Sequence, residues 1–143
     1  MTHCFPPAIS HLLIQICRSH RYNAEIALNA LGLHTGQEMI LFQLWEEEGI
    51  TQSKIAENLC IEAPTVTKML QRLEKAGFVE RRQDPEDGRI SRVYLTPEGK
   101  SLQIPVEQVW QKLEAQTITG LSDMEQALLQ RLLLQIQDNL SDK

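Results

Sequence analysis

Cysteine is scarce in the 143 residues, and its placement is irregular: Cys4, Cys17 and Cys60 are the only three. An odd, scattered set offers neither a disulfide framework nor a Cys-x-x-Cys metal pair, so a reduced cytoplasmic setting is expected. Long apolar runs are missing too. The stretch from Leu12 to Cys17 falls far short of the roughly 18 residues that a membrane span requires. No Lys or Arg precedes Arg18, whereas an export signal begins with positive charge. Gly-rich phosphate loops, a nucleophile elbow and a metal triad are absent, so an enzyme is not expected. His3, His11, His20 and His34 lack a paired ligand spacing and are expected at the surface. No metal and no cofactor are expected.

An excess of positive charge is also lacking. Lys and Arg number 14 against 19 Asp and Glu, a formal net charge of −5, which excludes a polybasic nucleic-acid coat. The charge is segregated, however. From Lys54 to Lys100 nine basic residues meet eight acidic ones, whereas the rest of the chain has five basic and eleven acidic. The middle of the chain therefore differs electrically from its two ends.

Helical periodicity dominates what is present. Leu12, Leu13, Ile16 and Cys17, then Ala24, Ala27, Leu28 and Leu31, repeat at helical spacing, and Gly32 suits the stop. Thr35-Gly-Gln-Glu38 has the pattern of a capping box with Thr35 at the N-cap. It would open a helix with Ile40, Leu41, Leu44 and Trp45 on one face. Thr51 is placed to cap a short third helix carrying Ile55, Ala56 and Leu59. After a turn at Cys60 to Ala63, Pro64 suits the first turn of a fourth helix. Its stripe is Val66, Met69 or Leu70, Leu73 and Ala76, and Gly77 is its stop.

The period then changes. Phe78 to Arg82 and Ile90 to Leu95 are β-compatible runs on either side of Gln-Asp-Pro-Glu-Asp-Gly, which predicts a hairpin with a polar tip. Thr96-Pro97 starts another helix, which Pro105 should kink. Ser122-Asp-Met-Glu125 is a second capping box, opening a last helix with Leu128, Leu129, Leu132, Leu133 and Ile136 on its apolar face.

Two short helices, a tight turn and a hairpin in this order form a winged helix-turn-helix, whose second helix enters the DNA major groove. The outward face of that helix offers Thr65, Thr67, Lys68, Gln71, Arg72 and Lys75. Thr can meet phosphate or a thymine methyl, Gln can pair with adenine, and Arg or Lys can pair with guanine or phosphate. Any solvated helix face would show some of these residues, and the hairpin adds weight. Arg81, Arg82, Arg89 and Arg92 flank one turn, and an arginine at a hairpin tip suits a narrow minor groove. Asp87, two residues before Arg89, is placed to orient its guanidinium. A bare surface ion pair would be worth little.

The segments Ile50-Thr-Gln-Ser-Lys-Ile-Ala-Glu-Asn-Leu59, Pro64 to Gly77, Phe78-Val-Glu-Arg-Arg82, Asp84-Pro-Glu-Asp-Gly-Arg89 and Val93-Tyr-Leu-Thr-Pro-Glu-Gly99 together resemble the MarR family of winged-helix transcriptional regulators. The resemblance is strong from about Leu31 to Gly99. It implies a mainly α fold with a small β-hairpin, residues 35–99 forming the DNA-binding unit. Residues 1–34 and 100–143 would be dimerisation helices. A homodimer on a palindromic operator follows, usually a repressor, released by a small-molecule effector or an oxidant. By position, Thr65, Thr67, Lys68, Gln71 and Arg72 match recognition-helix contacts. Asp87 and Arg89 match the wing aspartate and minor-groove arginine, and Ser53 with Arg81 or Arg82 matches backbone contacts. Three departures stand out: Cys60 in place of the usual turn glycine, Glu62 in place of the usual serine, and Pro105 inside the long helix.

The apolar faces at both ends have a physical use in this scheme, because pairing across a two-fold would bury them. Some relatives sense peroxide through a first-helix cysteine, which makes Cys4 and Cys17 redox candidates. The burial habit of free cysteine instead favours a core place for Cys17 and a loose terminus for Cys4. The competing reading is a winged-helix protein-interaction module without DNA binding. Four arginines on one hairpin argue against it.

Overall fold

A computed structural model of the chain describes residues 8–141. Its elements are α1 (Ile9–Asn29), α2 (Gln37–Glu46), β1 (Ile50–Thr51), α3 (Gln52–Leu59), α4 (Ala63–Lys75), β2 (Val79–Gln83), β3 (Ser91–Leu95), α5 (Pro97–Ser101), α6 (Gln103–Thr117) and α7 (Asp123–Leu140). The fold is mainly helical, with a three-stranded antiparallel sheet in the order β1-β3-β2. In its register Arg82 faces Arg92, Arg81 faces Val93, and Thr51 of β1 faces Arg92 from the other side. The two-residue β1 was not anticipated. It is too short to show a period and exists only through its pairing with β3.

Local chemistry explains most helix starts. Thr51 Oγ1 accepts the Lys54 N–H at 3.1 Å, and Thr96 Oγ1 accepts the Gly99 N–H at 3.1 Å. Ser122 and Glu125 form the complete reciprocal capping box. Pro64 and Pro97 each lie at the first turn of a helix, where no amide hydrogen is needed. The box expected at Thr35 does not form. The N-cap of α2 is Gly36, whose N–H donates to Glu38 Oε2 at 2.8 Å, while Gln37 Oε1 accepts the His34 N–H. Thr35 Oγ1 is buried without a partner. Glu38 is only 2% exposed, and burial pushes its carboxyl above the usual range against the pull of two backbone N–H groups.

The long C-terminal helix divides instead of merely kinking. Pro105 has no N–H to give the Ser101 carbonyl, and its ring crowds that carbonyl. Accordingly α5 ends at Ser101, Leu102 sits between the two helices, and α6 resumes at Gln103. Gly99 is required by contact: a Cβ there would lie 2.0 Å from the Phe78 carbonyl oxygen. Trp45 Nε1–H donates to the Gly99 carbonyl at 3.0 Å, tying α2 to α5.

A single core joins Leu28, Ile40, Leu44, Ile55, Val66, Leu70 and Val93, among others. Val106 of α6 belongs to it, and α1 lies along α6. By contrast α7 buries no residue, and Met124, Leu128, Leu132, Leu133 and Leu140 lie open. The outer face of α1 is similar, with Ile9, Leu12, Ile16 and Ile26 exposed. No helix of the described residues is long and apolar enough to cross a membrane.

The helix-turn-helix turn carries the strain that its cysteine implied. In α4, the Phe78 N–H bonds the Leu73 carbonyl and the Gly77 N–H bonds that of Glu74, with Gly77 at φ +85°. The end of α3 repeats this motif: the Ile61 N–H bonds Ala56 and the Cys60 N–H bonds Glu57, with Cys60 at φ 53°. Cys60 is the one non-glycine residue of positive φ among those described. A side chain in this conformation costs about 1–2 kcal/mol, offset in part by the stiffer unfolded chain. Cys60→Gly should therefore raise the stability by roughly 0.5–1 kcal/mol in urea unfolding, and Cys60→Val should lower it. A loss of stability in the glycine variant would show that the thiol makes a contact worth more than the strain.

Candidate nucleic-acid interface

The two faces of α4 follow from its period. Val66, Leu70 and Leu73 are buried, which turns Thr65, Lys68, Gln71, Arg72 and Lys75 outward into solvent. Among the described residues, Lys68, Arg72 and Lys75 have no carboxylate in ion-pair range. Ser53 is exposed in the first turn of α3. Glu62 is the N-cap of α4 but makes no side-chain cap. Its carbonyl accepts the Thr65 and Val66 N–H groups. Thr67 is half-buried at the side of the helix and donates its hydroxyl proton to the Ala63 carbonyl at 3.0 Å.

Two aspartates build the tip of the hairpin. Asp84 Oδ1 accepts the Glu86 and Asp87 N–H groups at 2.8 and 3.2 Å, and its Oδ2 accepts Arg92 Nε–H at 2.7 Å. Arg92 Nη1–H goes on to the Gly49 carbonyl at 2.8 Å, tying the tip to the start of β1. Asp87 grips Arg89 three times. Its Oδ1 accepts the Arg89 backbone N–H at 3.0 Å and Nε–H at 3.1 Å, and its Oδ2 accepts Nη2–H at 3.2 Å. The Arg89 side chain is nevertheless 91% exposed. As an isolated surface ion pair this is worth little stability. The fork instead fixes the plane of the guanidinium and leaves its remaining donors outward.

The four hairpin arginines do not act as one cluster. Side chains alternate along a strand, so Arg81 and Arg82 take opposite faces of the sheet. Arg81 Nε–H donates to Glu74 Oε1 at 2.6 Å, and Nη1–H reaches Gln52 Oε1 at 3.4 Å. Arg82 pairs with Glu80 and lies over the Tyr94 ring, 4.2 Å from its centroid. Arg81 and Arg92 thus tie the hairpin to other elements, Arg82 stays within the hairpin, and Arg89 projects into solvent while held by Asp87. Asp84 and Gln52 were not singled out in the sequence. An Asp at the first residue of a polar turn was a signal for the former. The partners of Gln52 lie in other elements and leave no local signature.

A concave cleft separates the wing from the helices, lined by Thr51, Gln52, Ser53 and Ala63 on one side and Arg89 and Ser91 on the other. The arrangement can engage a polyanion along α4 and at the wing tip together. The redox candidates stand apart from it. Cys17 is exposed on α1 and Cys60 is exposed in the turn, so the core place expected for Cys17 is not found. Cys17 lies on the same face of α1 as Ala24 and Leu28, seven and eleven residues before them, but in the N-terminal half of the helix, where no residue is buried. Cys4 lies outside the described residues.

A family model described as MarR family matches residues 33–91. An uncharacterized HTH-type transcriptional regulator of Bacillus subtilis, YwoH, is 34% identical over 125 residues, spanning 85% of this chain and 90% of that protein. The crystal structure of the transcriptional regulator SlyA superposes with a TM-score of 0.78 at 30% identity, over 92% of this chain and 93% of that one. The Staphylococcus aureus MepR-DNA complex gives 0.83 at 25% identity, over 94% and 100%.

The wing also makes a pH prediction. Arg92 beside Asp84, and Arg89 beside Asp87, hold both carboxyls below their usual 3.8. A carboxyl depressed in the folded state stabilises above its unfolded value and loses that contribution as pH falls through the folded one. The Arg89 Nε–H resonance should therefore stay constant from neutral pH to about 4.5 and move only below 3.8. A midpoint above 3.8 would mean that the fork does not form in solution.

Proposed function

This chain belongs to the MarR family of transcriptional regulators, and from that premise we propose that it is a homodimeric repressor that reads a palindromic operator. Residues 35–99 read DNA, and the helices in 1–34 and 100–143 pair the two copies. The observation that carries the reading is the cleft between the helix-turn-helix and the wing, with Ser53 and Ala63 on one wall and the Asp87-held Arg89 on the other, beside an α4 whose Lys68 and Arg72 face solvent. Lys68, Gln71 and Arg72 face bases or phosphates in the major groove, Arg89 enters the flanking minor groove, and Ser53 meets the backbone. The MepR structure is described as a complex with DNA, which supports the same use of the same fold.

Dimerisation has its own support. Among the described residues α7 buries none of its apolar side chains, and those on the outer face of α1 are also open. A second copy that buries both faces would set the two α4 helices about 34 Å apart, one turn of DNA. Release by a small molecule fits the open groove between α1 and α6, lined by Asn23, Ala27, Leu31, Pro105, Val109 and Leu113. Release by an oxidant would act through Cys17, or through Cys4.

Salt separates a DNA reader from a protein-interaction module. Binding to a palindromic duplex should weaken steeply with salt, because each neutralised phosphate releases counterions. Arg89→Ala should bind more weakly and lower the log–log salt slope by about 1. Binding to DNA that is equally tight in both proteins would remove the wing from the interface. Leu132→Glu with Leu133→Glu on α7 should convert the dimer to a folded monomer in sedimentation and lose operator binding. A double variant that stays dimeric would place the interface elsewhere.

A further inference from the structure

A polar chain runs around α4 and returns to it. Glu74, in the last turns of α4, accepts Arg81 Nε–H at 2.6 Å from β2. Arg81 Nη1–H reaches Gln52 Oε1 on α3 at 3.4 Å. Gln52 Nε2–H donates to Thr67 Oγ1 at 2.5 Å, back in the first turns of α4, and Thr67 passes its own proton to the Ala63 carbonyl at 3.0 Å. Thr67 and Glu74 are seven residues apart, close to two helical turns, so they lie on one side of α4 about 10 Å apart. One chain of side chains therefore grips the helix at both ends of the same edge.

The direction of every proton in this chain is forced. A guanidinium can only donate, so Arg81 must face the amide oxygen of Gln52. The Gln52 nitrogen is then the atom that faces Thr67, so the Thr67 oxygen must accept. Its single hydrogen is left for Ala63. This fixes the orientation of the amide without appeal to its placement. It also leaves the Thr67 hydroxyl with no proton for a base or a phosphate.

We propose that Gln52 is a positioning residue that locks the roll of α4 against the wing, with Thr67 and Arg81 as its fixed partners and not as readers of DNA. The proposal rests on the DNA-binding reading above and sharpens it. Sequence preference then falls to Thr65, Lys68 and Gln71, with Arg72 beside them, and a loosened helix would blur all of them together.

The test compares Gln52→Met, Thr67→Val and their combination, with Thr67→Ser as the variant that keeps the hydroxyl. Each is measured on the full chain against a panel of duplexes with single base-pair changes and by thermal unfolding. Gln52→Met and Thr67→Val should each lower the preference for the best duplex about 3- to 10-fold. The loss should be spread over the half-site, and the salt slope unchanged. The combination should be no worse than either single change, and Thr67→Ser should behave as the original chain. A Thr67→Val effect confined to one base pair, with Gln52→Met silent, would make Thr67 a reader and overturn the proposal. Unfolding needs no DNA: additive losses in the two single variants would show that the chain is not coupled and would also overturn it. If the original chain shows no preference among duplexes, the functional reading fails, and the unfolding cycle alone still decides for or against the brace.

Discussion

Burial of one edge of α4 is the constraint on which the rest of the molecule depends. Val66, Leu70 and Leu73 are fully enclosed in the core, and each such side chain is worth about 1.5–3 kcal/mol. At 3.6 residues per turn, holding those three inward leaves Thr65, Lys68, Gln71 and Arg72 no choice but to face solvent. The sheet adds to this from β3, whose Val93 lies in the same core. The hairpin is thereby anchored at its base, while Arg89 at its tip stays in solvent. Function resides in what the core rejects.

The charge of the chain is organised by the same geometry. A net charge of −5 is unpromising for a protein that binds a polyanion, but the average conceals where the charges act. Glu74, Glu80 and Asp84 each engage a hairpin arginine that would otherwise add to a diffuse positive field. Lys68, Arg72 and Lys75 stay unpaired on α4 among the described residues, and Arg89 projects from the wing in the grip of Asp87; these four belong to the proposed interface. Acidic surroundings weaken non-specific attraction to DNA and leave more of the binding to particular contacts.

Much of this was legible in the sequence because the responsible forces are local. Thr51, Thr96 and the Ser122–Glu125 box act over three residues, and Pro64 acts over none. The alternation of Asp87 and Arg89 across Gly88 was enough to place the fork. What was missed depends on distant partners. β1 owes its existence to β3, some 40 residues on. Arg81 looked like one of four equivalent cations until Glu74 and Gln52 came beside it. Thr35 looked like a cap, yet Gly36 took that place, because Glu38 and Gln37 satisfied the neighbouring amides first. Cys17 read as core by composition and shares the helix face of Ala24 and Leu28, but the chain's own core meets only the C-terminal half of α1. Pro105 was expected to bend the helix, and the carbonyl it crowds at Ser101 became the end of α5.

The account turns on two copies of α4 being held one DNA turn apart by helices whose outer apolar faces are open among the described residues. Selection of bound sequences from a randomised duplex pool at physiological salt tests this most directly, because it reports geometry without assuming an operator. The account predicts enrichment of an inverted repeat whose half-site centres lie about 10 base pairs apart, with A·T-rich flanks where Arg89 meets the minor groove. A single unpaired half-site, a direct repeat or no enrichment at all would contradict it.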